Sequence, residues 1–143
     1  MNVATILKQK GGKIVSVTPD TTLQETAQVL AEKRIGAALV LSGDGALLGI
    51  VSERDIVRGI AAHGAACLTM AVASVMSSPV KTCSASDTVD HLMTQMTTGR
   101  FRHVPVVDGS TIMGIVSIGD VVKLKIAETE LEVSAIREYI AAH

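Results

Sequence analysis

The sequence predicts an α/β fold in which one small unit is written twice. The stretch LGIVSERDIVRGI at residues 48–60 is echoed by MGIVSIGDVVKLK at 113–125, with Gly49 and Gly114 standing 65 positions apart. The echo runs through most of the chain in one order: VATIL (3–7) answers VASVM (72–76), IVSVTPDTTL (14–23) answers VKTCSASDTV (80–89), and KRIGAALVL (33–41) answers GRFRHVPVV (99–107). Short apolar runs of strand length alternate with segments of helical period, which is the mark of duplicated units that bury their apolar faces together.

Each element follows from local pattern. VATIL and VASVM read as short lead-in helices. In TPDTTLQE, Thr22 and Glu25 have the spacing of a capping box, and Leu23, Ala27 and Leu30 then recur on one helical face, which predicts a helix near 23–34. The matching helix opens at Thr88 and carries Val89, Leu92, Met93 and Met96. AALVL and LLGIV are strands joined by Gly43-Asp44-Gly45, and VPVV and IMGIV are strands joined by Asp108-Gly109-Ser110. Their unbroken apolar character predicts burial on both faces. Ser52 and Ser117 then open one further helix each. The repeat is strand, helix, strand, strand, helix, with boundaries at 1–66 for the first copy with its lead-in helix and linker, 67–126 for the second, and 127–143 for a C-terminal helix.

Composition narrows the function. The chain has 143 residues, 48% hydrophobic but 1% aromatic, with 13 Lys+Arg against 14 Asp+Glu and a mean hydropathy of +0.41. The core must be aliphatic, and near-neutral charge without aromatic residues argues against a nucleic-acid surface. No apolar run reaches membrane-spanning length and the N-terminus lacks a secretory signal, so a cytoplasmic location is expected. Cys67 and Cys83 stand in unlike contexts without CxxC spacing, which predicts neither a disulfide nor a metal site. Met93, Met96 and Met113 read as core filler. The four histidines, His63, His91, His103 and His143, lie in unrelated contexts, and there is no nucleophile elbow, P-loop, GxGxxG or HExxH. No catalytic residues are predicted.

The twice-written GIVSxxD motif resembles the signature of the cystathionine-β-synthase (CBS) domain. Together with the duplication and element order, it makes roughly residues 1–126 resemble a tandem CBS pair, or Bateman module, standing alone. Read from the residues, Ser52 with Asp55, and Ser117 with Asp120, have helix-capping geometry. The same helix N-termini present N–H groups to an anion, and the carboxylate is placed to accept from vicinal ribose hydroxyls. Capping and ligand binding are compatible.

The resemblance implies two pseudo-symmetric clefts for adenosyl ligands. In it, Asp55 and Asp120 take the ribose hydroxyls, and Ser52 and Ser117 lie near ribose and phosphate. The strand after each first helix supplies an apolar wall for adenine. The cleft expected to bind a nucleoside monophosphate comprises Ser117, Gly119, Asp120, Arg102 and His103, closed by Thr18, Ile35, Gly36 and Ala37. Ser52, Arg54, Asp55, Ser84 and Phe101 outline the second. Arg102, His103 and Arg54 are candidate phosphate contacts, although His103 also suits a hydrogen-bonded core histidine and Arg54 a solvated helix face.

The expected function is that of a non-catalytic regulatory protein sensing an adenine nucleotide, AMP first, in the manner of an energy sensor. The alternatives are another adenosyl ligand (ATP, ADP, NAD(H) or S-adenosylmethionine), a ligand-free dimerisation scaffold, and an enzyme using Cys83. On the last segment, Val122, Ile126, Val133, Ile136 and Ile140 fall near one stripe of a long helix. A homodimer is expected, along with a regulated protein that the sequence does not identify.

Overall fold

A computed structural model describes residues 1–143. In chain order the elements are α1 (Val3–Lys10), β1 (Ser16–Val17), α2 (Leu23–Lys33), β2 (Ala37–Leu41), β3 (Leu47–Ser52), α3 (Glu53–His63), 3-10 turns at Gly64–Thr69 and Val72–Ser74, α4 (Val89–Gly99), β4 (His103–Asp108), β5 (Thr111–Ser117) and α5 (Ile118–Ala142). They form two compact units, one of residues 14–81 and one of residues 1–13 with 82–143.

In the 14–81 unit, β1 runs parallel to β2 and β2 antiparallel to β3, with Ala37 opposite Ser52 and Val40 opposite Gly49. β2, the middle strand, is buried along nearly its whole length, whereas β3 at the edge alternates, so burial on both faces holds for the middle strand only. Thr22 caps α2 by accepting from the Glu25 amide (3.1 Å), and α2 ends with Arg34 in the left-handed region. Val17, Leu23, Leu30, Val40, Val51, Ile56, Cys67 and Val72 make the aliphatic core. From the 59–76 segment, Gly59, Cys67 and Val72 pack inward, with Cys67 fully buried beside Gly59, whereas residues 60–66 are exposed.

The second unit repeats the plan with β4 and β5 antiparallel, His103 opposite Ser117 and Val106 opposite Gly114. Its first strand shrinks to a single parallel bridge between Cys83 and Val106. The chain turns away at once, because the Ser84 amide donates to the Asp87 side chain (2.9 Å). Thr88 caps α4 and Arg100 ends it, again left-handed. Met96 is buried in this unit's core and Met93 packs against it, whereas Met113, on the strand β5, is exposed and fills no core. α5 continues unbroken from Ser117 through residue 127 to the C-terminal segment.

The structure seats α1 in the unit of the second repeat. The Val3 amide donates to Asp87 O and the Ala4 amide to Ala85 O, both at 2.9 Å, and Val3 and Ile6 are buried against Val89, Leu92, Val116 and Val121. The counterpart of this segment lies in the other unit, where the Val72 amide donates to Thr21 O (2.7 Å) and the Ala73 amide to Pro19 O (3.1 Å). The lead-in segments are thus exchanged: α1 serves residues 82–143 rather than the repeat that follows it, and residues 70–76 serve the repeat that precedes them.

These lead-ins explain the glycine of each GIVS motif. A Cβ on Gly49 would collide with the Met76 side chain and approach Ser77 O at 3.0 Å; a Cβ on Gly114 would lie 2.8 Å from Leu7 Cδ2. At both positions the lead-in segment lies so close across the strand that a Cβ would force the facing side chain to shift.

Candidate functional site

Both repeats end an edge strand at a serine and begin a helix there. In the first, the Ser52 amide and hydroxyl donate to Asp55 Oδ2 at 2.8 and 3.1 Å, while the Asp55 amide donates back to Ser52 Oγ at 3.3 Å. In the second, the Ser117 amide and hydroxyl both donate to Asp120 Oδ2 at 2.9 Å, and the Asp120 amide donates to Ser117 Oγ at 3.2 Å. Both are complete capping boxes, which orient a carboxylate at a positive helix end.

Around this shared frame the two sites diverge. Asp55 is buried, and its Oδ1 accepts from the Ser77 hydroxyl (3.3 Å). Asp120 is half-buried, and its Oδ2 takes the Lys10 ammonium at 2.7 Å; Lys10 Nζ also donates to Ile115 O at 2.9 Å. Burial by itself would raise the Asp120 carboxyl. The Lys10 hydrogen bond, the Ser117 amide and hydroxyl, and the Lys10 charge outweigh it, holding Asp120 below its ordinary value. Sequence reasoning missed Lys10. Its only signal was a basic residue at the end of the lead-in helix, KQKGGK, and nothing in one sequence says which strand that helix crosses.

The remaining predicted residues can be placed unit by unit. Gly36 O accepts from the Glu53 amide (3.0 Å), which sets Gly36 and Ala37 beside the start of α3, with Ile35 packed on the core. Arg102 O accepts from the Ile118 amide (2.8 Å), which sets Arg102 and His103 beside the start of α5, with Phe101 packed on its own core. Arg54 and Arg102 are exposed. Within their own units, Thr18 and Ser84 lie at the other end of the sheet from the helix starts. Because β1 runs parallel to β2, Thr18 follows Val17, which faces Val40, at the end of the sheet away from Ser52; Ser84 is placed equivalently by Cys83 and Val106. Thr18 and Ile35–Ala37 belong to the 14–81 unit, and Ser84, Phe101–His103, Ser117, Gly119 and Asp120 to the other.

Gly119 differs from Gly49 and Gly114 in that its unit gives it no packing reason. A Cβ there would meet only Ser117 Oγ, at an ordinary 3.6 Å, and the residue is exposed in a shallow groove with Ile118, Val122, Lys123 and Ile126. The Cys83 thiol is pushed up to about 11 by burial and by the charge of Asp87, which disfavours the thiolate form that a nucleophile needs. No group of three or more His, Cys, Asp and Glu side chains is arranged to hold a metal ion, and no helix is long and apolar enough to cross a membrane.

Comparison with known proteins matches this geometry to a family. The family model described as "CBS domain" matches residues 9–62 and 72–127. The chain is 31% identical over 146 residues to the mitochondrial CBS domain-containing protein CBSX3 of Arabidopsis thaliana, covering 96% of this chain and 71% of that protein. A solved CBS-domain containing protein from Agrobacterium tumefaciens is 45% identical and superposes with a TM-score of 0.85 over 87% of this chain and 92% of that one. A CBS domain protein from Pyrobaculum aerophilum, solved complexed with AMP, is 30% identical with a TM-score of 0.73, covering 84% of this chain and 89% of that one. CBS domains are in general regulatory modules rather than catalysts. With two matches in tandem, two copies of the capped GIVSxxD motif and the same fold as these structures, the chain belongs to the CBS domain family and carries a pair of CBS domains.

Proposed function

We propose that this chain is a non-catalytic sensor of an adenosyl nucleotide, with AMP as its first ligand. The observation that carries the reading is the helix N-terminus at Ser117–Asp120, where a half-buried carboxylate, the exposed Gly119 and the exposed Arg102 converge. Asp120 accepts the vicinal ribose hydroxyls, as a carboxylate beside a helix N-terminus does in dinucleotide sites. Lys10 and Arg102 supply positive charge for a phosphate, and Gly119 leaves room for the ligand to approach backbone N–H groups. The AMP bound by the Pyrobaculum aerophilum relative supports this choice of ligand. Ser52, Arg54 and Asp55 form the weaker or differently selective counterpart, since Asp55 is buried and engaged by Ser77.

One observation favours a second reading. Both capping boxes are complete without a ligand, so the motif also satisfies a scaffold in which Ser and Asp only start helices. The two readings separate in one experiment. Small molecules released on denaturing the purified protein are identified by mass spectrometry, and the ligand-free protein is then melted with AMP, ADP, ATP, NAD and S-adenosylmethionine. A sensor releases an adenosyl compound or gains several degrees with one of them, because binding to the native state alone stabilises it. No release and no shift at about 10 dissociation constants of a typical weak ligand, roughly millimolar, leaves the scaffold. A cytoplasmic location is part of the proposal and is checked by cell fractionation.

A further inference from the structure

We propose that the C-terminal part of α5 pairs with α5 of a second copy of this chain as a parallel two-stranded coiled coil. α5 is 25 residues long, yet every residue from 129 to 143 is exposed. Four turns of helix without tertiary support are marginal in water. Val122, Ile126, Val133, Ile136 and Ile140 are 40, 55, 40, 58 and 66% exposed, large apolar residues turned to solvent along one stripe.

Their spacing identifies the occupant. Val122, Ile126, Thr129, Val133, Ile136 and Ile140 follow one another at alternating steps of four and three, the heptad seam of a coiled coil. Ile126, Val133 and Ile140 occupy a positions, and Val122, Thr129 and Ile136 occupy d positions. Five of these six seam positions are apolar, so the stripe is nearly continuous along the helix. The seam begins at the groove containing Val122 and Ile126, so it is continuous with the apolar surface of the unit.

The flanking charges set the orientation. Lys125 and Glu132 fall at g, and Glu130 and Arg137 at e. In a parallel pair each g residue meets the e residue five positions on in the other copy, giving Lys125 with Glu130 and Glu132 with Arg137, opposite in sign both times. Lys125 is also held by Asp90 at 2.9 Å within its own unit, so Glu132–Arg137 is the principal pair. The antiparallel arrangement with Val133 opposite Thr129 instead sets Glu130 against Glu130 and Lys123 against Arg137, which repel.

The test uses the full chain with the exposed substitutions Glu132→Arg and Arg137→Glu, each alone and as an equimolar mixture, in sedimentation equilibrium. The wild type is expected to be a dimer. Each single variant is expected to dimerise about tenfold less tightly, because like charges then face each other twice. Mixing the two restores the affinity, since both pairs in the mixed dimer are again opposite. The Ile136→Cys variant is expected to cross-link to itself on oxidation, because the parallel in-register pairing sets the two copies of this position face to face; Cys67 and Cys83 are buried and do not compete. Thermal melts confirm that each variant is folded. A wild-type monomer at about 100 µM, a larger assembly, charge variants that dimerise as tightly as wild type, a mixture that stays weak, or an Ile136→Cys variant that does not cross-link overturns the proposal.

Discussion

Lys10 Nζ lies 2.7 Å from Asp120 Oδ2 and 2.9 Å from Ile115 O, tying the end of α1 to the start of α5. In the other unit the same two acceptors are served by one uncharged residue, with the Ser77 amide donating to Ile50 O (2.8 Å) and its hydroxyl to Asp55 Oδ1 (3.3 Å). A duplicated frame has therefore acquired a charge in one copy only.

That charge makes stability depend on acid. Asp120 is held below its ordinary value in the folded protein, so its contribution is present above about pH 4, the unfolded value, and is lost as pH falls through the lower folded value. Lys10→Met removes the ion pair. Both side chains are partly exposed, at 40 and 24%, so the variant loses less than about 1 kcal/mol at pH 7. Urea denaturation at pH 7 and pH 3 checks this. The difference between wild type and variant is present at pH 7 and shrinks at pH 3; a difference that is equal at both values means that the lysine acts through packing.

The glycines of the repeated motif make a second prediction. Gly49→Ala pushes a methyl into the Met76 side chain and towards the Ser77 carbonyl, and Gly114→Ala pushes one towards Leu7. Each is expected to cost about 1–3 kcal/mol by overpacking. Shortening the opposing side chain should recover part of it, so Gly114→Ala combined with Leu7→Ala loses less than the sum of the single changes. Strict additivity in denaturant titrations would show that the lead-in helix does not constrain this glycine.

How much of this was legible in the sequence depends on the range of the interaction. The capping serines and aspartates, the hairpins and the helices with their aliphatic faces were legible because each is decided within a few residues, as Ser52 with Asp55 and Thr22 with Glu25 show. The placement of α1 was not. The hydrogen bond from Val3 to Asp87 spans the whole first repeat, and VATIL is no less compatible with packing on its own neighbour. Lys10 was invisible for the same reason. The two left-handed helix ends fall on Arg34 and Arg100 where sequence rules place glycine or asparagine, so no local signal marked them. Thr18 and Ser84 entered only as cleft residues implied by the resemblance, and their distance from Ser52 and Ser117 within their own units follows from the parallel pairing of β1 and of Cys83, which is a property of the sheet.

Gly119 separates ligand space from packing. Because a Cβ there meets only Ser117 Oγ at 3.6 Å, and because valine has a higher helix propensity than glycine, Gly119→Val should leave the melting temperature of the ligand-free protein unchanged or slightly higher. If the glycine clears the approach of a nucleotide, the same variant binds AMP at least about tenfold more weakly, since a clash of a side chain with the ligand costs more than about 1.4 kcal/mol. Calorimetric titration reads it. Unchanged AMP affinity would remove Gly119 from the site.

The two aspartates give the sharpest test, because their capping roles are the same and their surroundings are not. Asp120→Ala and Asp55→Ala each break a capping box and should each cost about 1 kcal/mol or somewhat more of stability, so stability does not distinguish sensor from scaffold. Affinity measured on folded protein does. If Asp120 accepts ribose hydroxyls, its removal takes away charge-assisted hydrogen bonds of about 1.5–3 kcal/mol each and weakens AMP roughly tenfold or more. Asp55→Ala should weaken AMP less, because Asp55 is buried with Oδ1 engaged by Ser77 and because Gly36 and Ala37 stand where the other repeat has Arg102 and His103. Equal AMP affinity in wild type and Asp120→Ala would return the motif to helix capping, and a larger loss in Asp55→Ala would move the nucleotide to the other repeat's motif.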